Sequence, residues 1–159
     1  MLPVLLFLLE LNTGDLMAQE RRDSDLFLTL QRHDSLFFER GFNLCDTNYL
    51  KQALDSEFVF YHDQSGIENK DQLIRSTIKY LCSDPNNKPI RKVRKESLEV
   101  YALYDHGKLY GAVQSGIHDF YLRSPNKPDV QTGTARFTHV YLLENGNWIL
   151  KEALSFEHK

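Results

Sequence analysis

No stretch of this chain stays apolar for the roughly 20 residues that a membrane-crossing helix needs. Cysteine is scarce. Cys45 and Cys82 are the only two, too few for a disulfide framework, and no C-x-x-C spacing suggests a redox motif or a zinc knuckle. A pair in an oxidising space and two buried free thiols fit the sequence equally well. Positive charge is not in excess: the net charge of -3 offers nothing in bulk to nucleic acid or an acidic membrane. No nucleophile motif and no phosphate-binding loop is present, which leaves acyl and phosphoryl transfer without sequence support. Internal repeats and low-complexity tracts are absent as well.

What is present is an aromatic-rich chain of one-domain length, 159 residues with ten Phe and eight Tyr. Such a composition suits strands packed around a hollow as well as a solid core. Residues 1–19 differ from the rest. An apolar run, Leu2 to Leu9, precedes a small residue at Ala18, the outline of a signal peptide. The segment lacks Lys and Arg and contains Glu10 and Asp15. The expectation is export to a secreted or periplasmic space with one domain over 20–159. A short docked helix on a cytoplasmic protein is the alternative.

Apolar spacing predicts a first helix from about Asp25 to Phe42, with Leu26, Leu30, His33, Phe37 and Gly41 on one stripe and Ser24 or Asp23 as cap. Gly41 would let another element come close or mark the helix end. Asp46 caps a short second helix that buries Leu50, Ala53 and Leu54. A strand follows over Phe58 to Tyr61, with Phe58, Phe60 and His62 on one face and Val59, Tyr61 and Asp63 on the other. Asn69 and Gln72 form a capping box for a third helix carrying Ile74, Ile78 and Leu81. Arg91, Lys92, Arg94 and Lys95 read as a solvated sheet edge. Strands then run over about 98–104, 109–121, 134–143 and 148–156. Asn145-Gly146 is the strongest hairpin signal among them. Helices first and hairpin-linked strands afterwards imply an α+β class, with N-terminal helices packed on a strongly curved, mainly antiparallel sheet.

This order, together with the closing pattern from Thr134 to Trp148 in which a turn glycine precedes a tryptophan, resembles the nuclear transport factor 2-like superfamily. That is the cone-shaped fold of ketosteroid isomerase, scytalone dehydratase and SnoaL-type polyketide cyclases, and the likeness is to its uncharacterised bacterial members. It covers about Asp23 to His158. The resemblance implies a cone with a central cavity. It does not imply an activity, because such folds host enzymes, ligand binders and associative domains. The ketosteroid isomerase pattern does not carry over cleanly, since the first helix has no Tyr.

Alternation puts Tyr110, Ala112, Gln114, Gly116, His118 and Phe120 on one face of the long strand, and Ala135, Phe137, His139 and Tyr141 on one face of the next. A polar-lined cavity is expected there, with a small molecule as partner. Tyr61, Gln114, Arg136, Phe137, His139 and Tyr141 would contact it, and Gly116 would make space. A lyase- or isomerase-type enzyme would use His118 or His62 as acid–base group, with Asp63 or Asp119 to orient it. A homodimerisation domain without ligand is the further alternative, favoured if the outer sheet face is apolar. His62, His118 and His139 could in principle meet from facing strands. They lack H-x-H or H-E-x-x-H spacing, so hydrogen-bonded pocket histidines are expected, with no metal and no cofactor. Glu157 and His158 read as solvated.

Overall fold

Ser24 begins the first helix by accepting a hydrogen bond from the Phe27 amide, which satisfies one of the free donors of a helix start. In the computed structural model, which describes residues 19–159, this helix (α1, Asp25–Leu36) continues into a wider π-helical stretch, Phe37–Asn43. The expected export segment lies outside the described residues except for Gln19. The buried stripe of α1 is Phe27, Leu30, Asp34, Phe37 and Gly41, rotated by one residue from the stripe expected at Leu26 and His33. A carboxylate therefore sits where an aliphatic side chain would be ordinary.

Asp46 caps α2 (Thr47–Ala53) through the Tyr49 amide. A Cβ on Gly41 would collide with the Leu50 side chain, so this glycine serves close approach of α2 rather than termination. The second helix passes directly into β1 (Leu54–His62), longer than the expected strand, which turns back as the short β2 (Gly66–Asn69). No strand was expected over 66–69. The capping box at Asn69 and Gln72 forms as read and opens α3 (Lys70–Ser76), which widens into a π-helical stretch, Thr77–Leu81. The extra residue per turn shifts the helix phase. Thr77 faces inward and Ile78 is half exposed, where the regular period put Ile78 inside. Cys45 and Cys82, just after the two wide stretches, form a disulfide with Cα atoms 6.0 Å apart. Lys88 spans the same gap, donating to the Phe42 and Leu81 carbonyls.

The remaining strands are β3 (Lys88–Val93), β4 (Glu99–Asp105), β5 (Lys108–Arg123), β6 (Val130–Glu144) and β7 (Asn147–Phe156). They form one sheet in the order β2-β1-β7-β6-β5-β3, with β4 on the other half of the β5 edge. All pairs are antiparallel except β1 with β7. Asn145 and Gly146 both take positive φ, 49° and 81°, the backbone that a two-residue hairpin turn demands. Register shifts in the β4–β5, β5–β6, β6–β7 and β1–β7 pairs bend the strands. The sheet curls around α1 and α3, and Phe27, Leu30, Phe58, Leu98, Phe137 and Leu150 fill the space between the layers. Each such side chain, fully buried, contributes about 1.5–3 kcal/mol.

Candidate functional site

Between the helices and the concave face of the sheet lies a cavity of about 460 Å³, within the range that holds small-molecule ligands. Its walls are aromatic and aliphatic: Phe38 and Phe42 from the first helix, Phe60 from β1, Tyr80 beyond α3, and Phe120 and Phe137 from the sheet. The expected polar lining is thus corrected to a largely apolar one. Polar groups gather at one end, where His62, His118, Ser155 and His158 meet.

That end is one hydrogen-bonded chain anchored deep in the core. Asp34 on α1 and Arg91 on β3 form a bidentate pair, at 2.7 and 2.9 Å, with both side chains out of solvent. The guanidinium lies 3.6 Å from the Phe38 ring centre and 4.9 Å from that of Phe137, so it is dry and stacked between rings. The expectation that Arg91 belongs to a solvated edge is therefore wrong. Lys92 and Arg94 do face outward, where they pair with Asp129 and Asp119. Arg91 then donates from Nε to His118 Nδ1 at 3.1 Å. His118 Nε2 lies 3.4 Å from Ser155 Oγ, Ser155 Oγ lies 3.2 Å from His158 Nε2, and His158 Nδ1 lies 2.5 Å from Asp63 Oδ1. The His158 amide also donates to Asp63 Oδ2 at 3.2 Å.

The arginine sets the direction of every proton in this chain. Its N–H is always a donor, so His118 Nδ1 accepts and the proton of the neutral ring sits on Nε2. That N–H points at Ser155 Oγ, which leaves the hydroxyl proton to go to His158 Nε2. Neutral His158 then carries its own proton on Nδ1, facing the Asp63 carboxylate. Burial, reinforced by the Arg91 charge, pushes the His118 pKa down to about 2, so this ring stays neutral at ordinary pH. Burial opposes ionisation of Asp63, but the His158 amide and ring outweigh it and hold the carboxyl below its usual range. His62 stacks on His158 with ring centres 4.2 Å apart. Its Nδ1 accepts from the Gln64 and Ser65 amides, and burial, followed by the nearby His158, lowers its pKa.

The residues picked from the sequence divide into three groups. His62, His118, Phe137 and His139 line the cavity, and Asp63 stands behind His158. Gln114 and Tyr141 face inward but lie in the core beyond the cavity. The Gln114 amide, the Tyr141 hydroxyl and His139 Nδ1 are buried there with no hydrogen-bond partner. Tyr61 and Arg136 are on the other faces of their strands and exposed, so neither touches the cavity. Gly116 makes room for the Phe137 ring, 3.0 Å from where a Cβ would sit, and not for a ligand. Asp119 points outward to Arg94. His158, read as solvated, is a central member of the polar end.

Ser155, His158, Asp34 and Arg91 went unpicked. Among the described residues, the metal-ligand types that converge are His62, Asp63 and His158, within 4.8 Å of one another, and not His62, His118 and His139. Their Nδ1 atoms are already satisfied by amides and by Asp63.

No family model matches the chain, and no curated protein matches it. Solved structures do. An NTF2-like superfamily protein from Salmonella enterica serovar Typhimurium superposes with a TM-score of 0.63 at 16% identity, over 81% of this chain and 88% of that one. Aln2 from a Streptomyces species gives 0.66 at 7% identity over 82% and 88%. The CaMKII hub homology domain of Chlamydomonas reinhardtii gives 0.63 at 15% identity over 83% and 96%. The chain has the nuclear transport factor 2-like α+β cone fold. No helix among the described residues is long and apolar enough to cross a membrane.

Proposed function

We propose that the chain is a small-molecule-binding domain whose ligand has an apolar, ring-sized body and one hydrogen-bonding end. The cavity carries this reading: about 460 Å³ of space with largely aromatic walls and a hydrogen-bonded cluster of polar groups at the His118–Ser155–His158 end. Apolar walls contribute affinity through burial, and the few polar groups fix orientation. Binding of the hydrophobic dye 1-anilinonaphthalene-8-sulfonate tests it. Native protein should bind the dye with saturable fluorescence. Ala153→Phe, which projects a ring into the cavity from β7, should weaken binding at least about tenfold while circular dichroism stays native. Unchanged binding in the variant would remove the cavity as the site.

Self-association is a second reading, supported by one exposed pair. Tyr61 and Ile67 are cross-strand partners on β1 and β2, and both are exposed. Exposed apolar pairs of this kind favour an interface, and a hub homology domain is among the folds this chain is similar to. Light scattering after gel filtration should report a dimer that Ile67→Glu dissociates. A native monomer would end this reading. The Cys45–Cys82 disulfide supports an oxidising compartment, in keeping with an exported chain. Mass analysis of protein recovered without reductant, showing free thiols, would contradict that.

A further inference from the structure

Resting on the cavity as a small-molecule site, we propose that Ser155, His158 and Asp63 form a nucleophilic triad that hydrolyses carboxylic esters with an apolar acyl or alcohol part. The order of contacts is that of a serine hydrolase. The carboxylate holds ring Nδ1, ring Nε2 faces the hydroxyl, and the hydroxyl opens on the cavity.

The fold builds this constellation from two neighbouring strands. β1 and β7 run parallel, with His62 beside Ser155, and the Asp63 amide donates to the Ser155 carbonyl at 3.2 Å. Asp63 thus lies next to the serine without being near it in sequence. Beyond β7 the chain turns at Glu157, where φ is +57°, and Lys159 pairs with Thr134 through both backbone groups at 3.0 Å. These two features hold His158 back over Ser155. Stacking on His62 and Phe120, at 4.2 and 6.0 Å between ring centres, fixes the ring plane.

The ordered network also sets the serine in its reactive sense. Because His118 donates to Oγ, the hydroxyl proton is directed at His158 Nε2, the acceptor that must take it. In the first step Ser155 Oγ bonds to the ester carbonyl carbon while its proton passes to His158 Nε2. The carbon–oxygen bond to the alcohol then breaks, and the same proton leaves His158 for the departing oxygen. Water reverses the sequence: it gives a proton to His158, attacks the acyl carbon, and releases the acid as Oγ regains its proton. The oxyanion of each tetrahedral stage forms on the acyl carbon, two bonds from Oγ, and the His118 Nε2–H, 3.4 Å from Oγ and oriented by Arg91, is the donor offered to it. His118 is the donor here and His158 the base. A ring with a pKa near 2 does not compete for the serine proton.

The test uses the full chain, an alkyl fluorophosphonate, p-nitrophenyl butyrate and, in parallel, the dye above. The expected result is one phosphonyl group per chain, mapped to Ser155, together with ester turnover. Labelling should vanish in Ser155→Ala and slow about 10⁴-fold in Asp63→Asn, while the circular dichroism of both variants stays native. Dye binding without labelling, or labelling at another residue, would overturn the triad and leave the cavity as a binding site. Loss of both dye binding and labelling in the native chain would overturn the cavity reading along with it.

Discussion

Asp34 and Asp63 stand at the two ends of one hydrogen-bonded chain, and their surroundings separate what they do. Asp34 is sealed, with its partner Arg91 held between Phe38 and Phe137. Asp63 lies behind His158, its side chain about one-third exposed and bonded to that ring. Both are carboxylates facing nitrogen donors. In the dry end a charge has nowhere to go, so the pair serves as a fixed reference for the rings beyond it. The wet end opens toward solvent, so the proposed chemistry falls at Asp63 and His158, and positional order at Asp34 and Arg91.

Breaking the sealed end should have the largest effect. Asp34→Ala leaves Arg91 buried and uncompensated and should cost about 3–5 kcal/mol in urea unfolding. The double variant Asp34→Leu with Arg91→Met should recover most of that loss. A single variant as stable as the native chain would erase the contrast between the two ends. Cys45→Ser with Cys82→Ser opens a closure spanning 37 residues and should cost about 4 kcal/mol by the same measurement.

Acid comes next. Burial depresses His118 to about 2 and His139 to about 4, so between these values and about 6.5 the unfolded chain binds protons that the folded one does not. Their stabilisation is complete above about 6.5 and is lost as pH falls. Unfolding measured at about pH 5.5 should show roughly 2.5 kcal/mol less stability from these two rings than at about pH 7. A flat profile over that range would mean that the rings are hydrated. Asp63→Asn should have the smallest effect on unfolding, a midpoint close to native, because its carboxylate is open to solvent. A large shift there would make the wet end structural too.

Local chemistry was the legible part of the fold. Asn145-Gly146, the Asn69–Gln72 capping box and the alternation along β6 and along β5 from Ala112 each declare themselves within a few residues and formed as read, whereas Tyr110, expected on the inward face, is turned out at the β4–β5 register shift. The inward positions of His118, Phe137 and His139 follow from that alternation. The rest of the site depends on what a linear period does not record. The register of β7 shifts where Val140 faces Glu152 and Tyr141 faces Leu150. Alternation counted from Leu150 would bury Glu152 and Leu154, yet the bulge at Lys151 turns Ala153 and Ser155 inward. Asp34 and Arg91 are 57 residues apart; Arg91 reads as a solvated edge charge, and nothing local marks Asp34. His158 had no apolar period to mark it and is held by Asp63, 95 residues earlier. The cysteine pair was open in the sequence because nothing local tells a buried thiol from a bonded one.

Nitrogen chemical shifts of the histidine rings, followed against pH on isotope-labelled protein, test the ordered network most directly. His118 should show a bare Nδ1 and a protonated Nε2 that do not change from about pH 8 to about pH 4, while the neutral His158 ring carries its proton on Nδ1, facing Asp63. If instead His118 takes up a proton near the ordinary histidine value, Arg91 does not fix the direction of the chain. Ser155 then has no reason to face His158 as a donor.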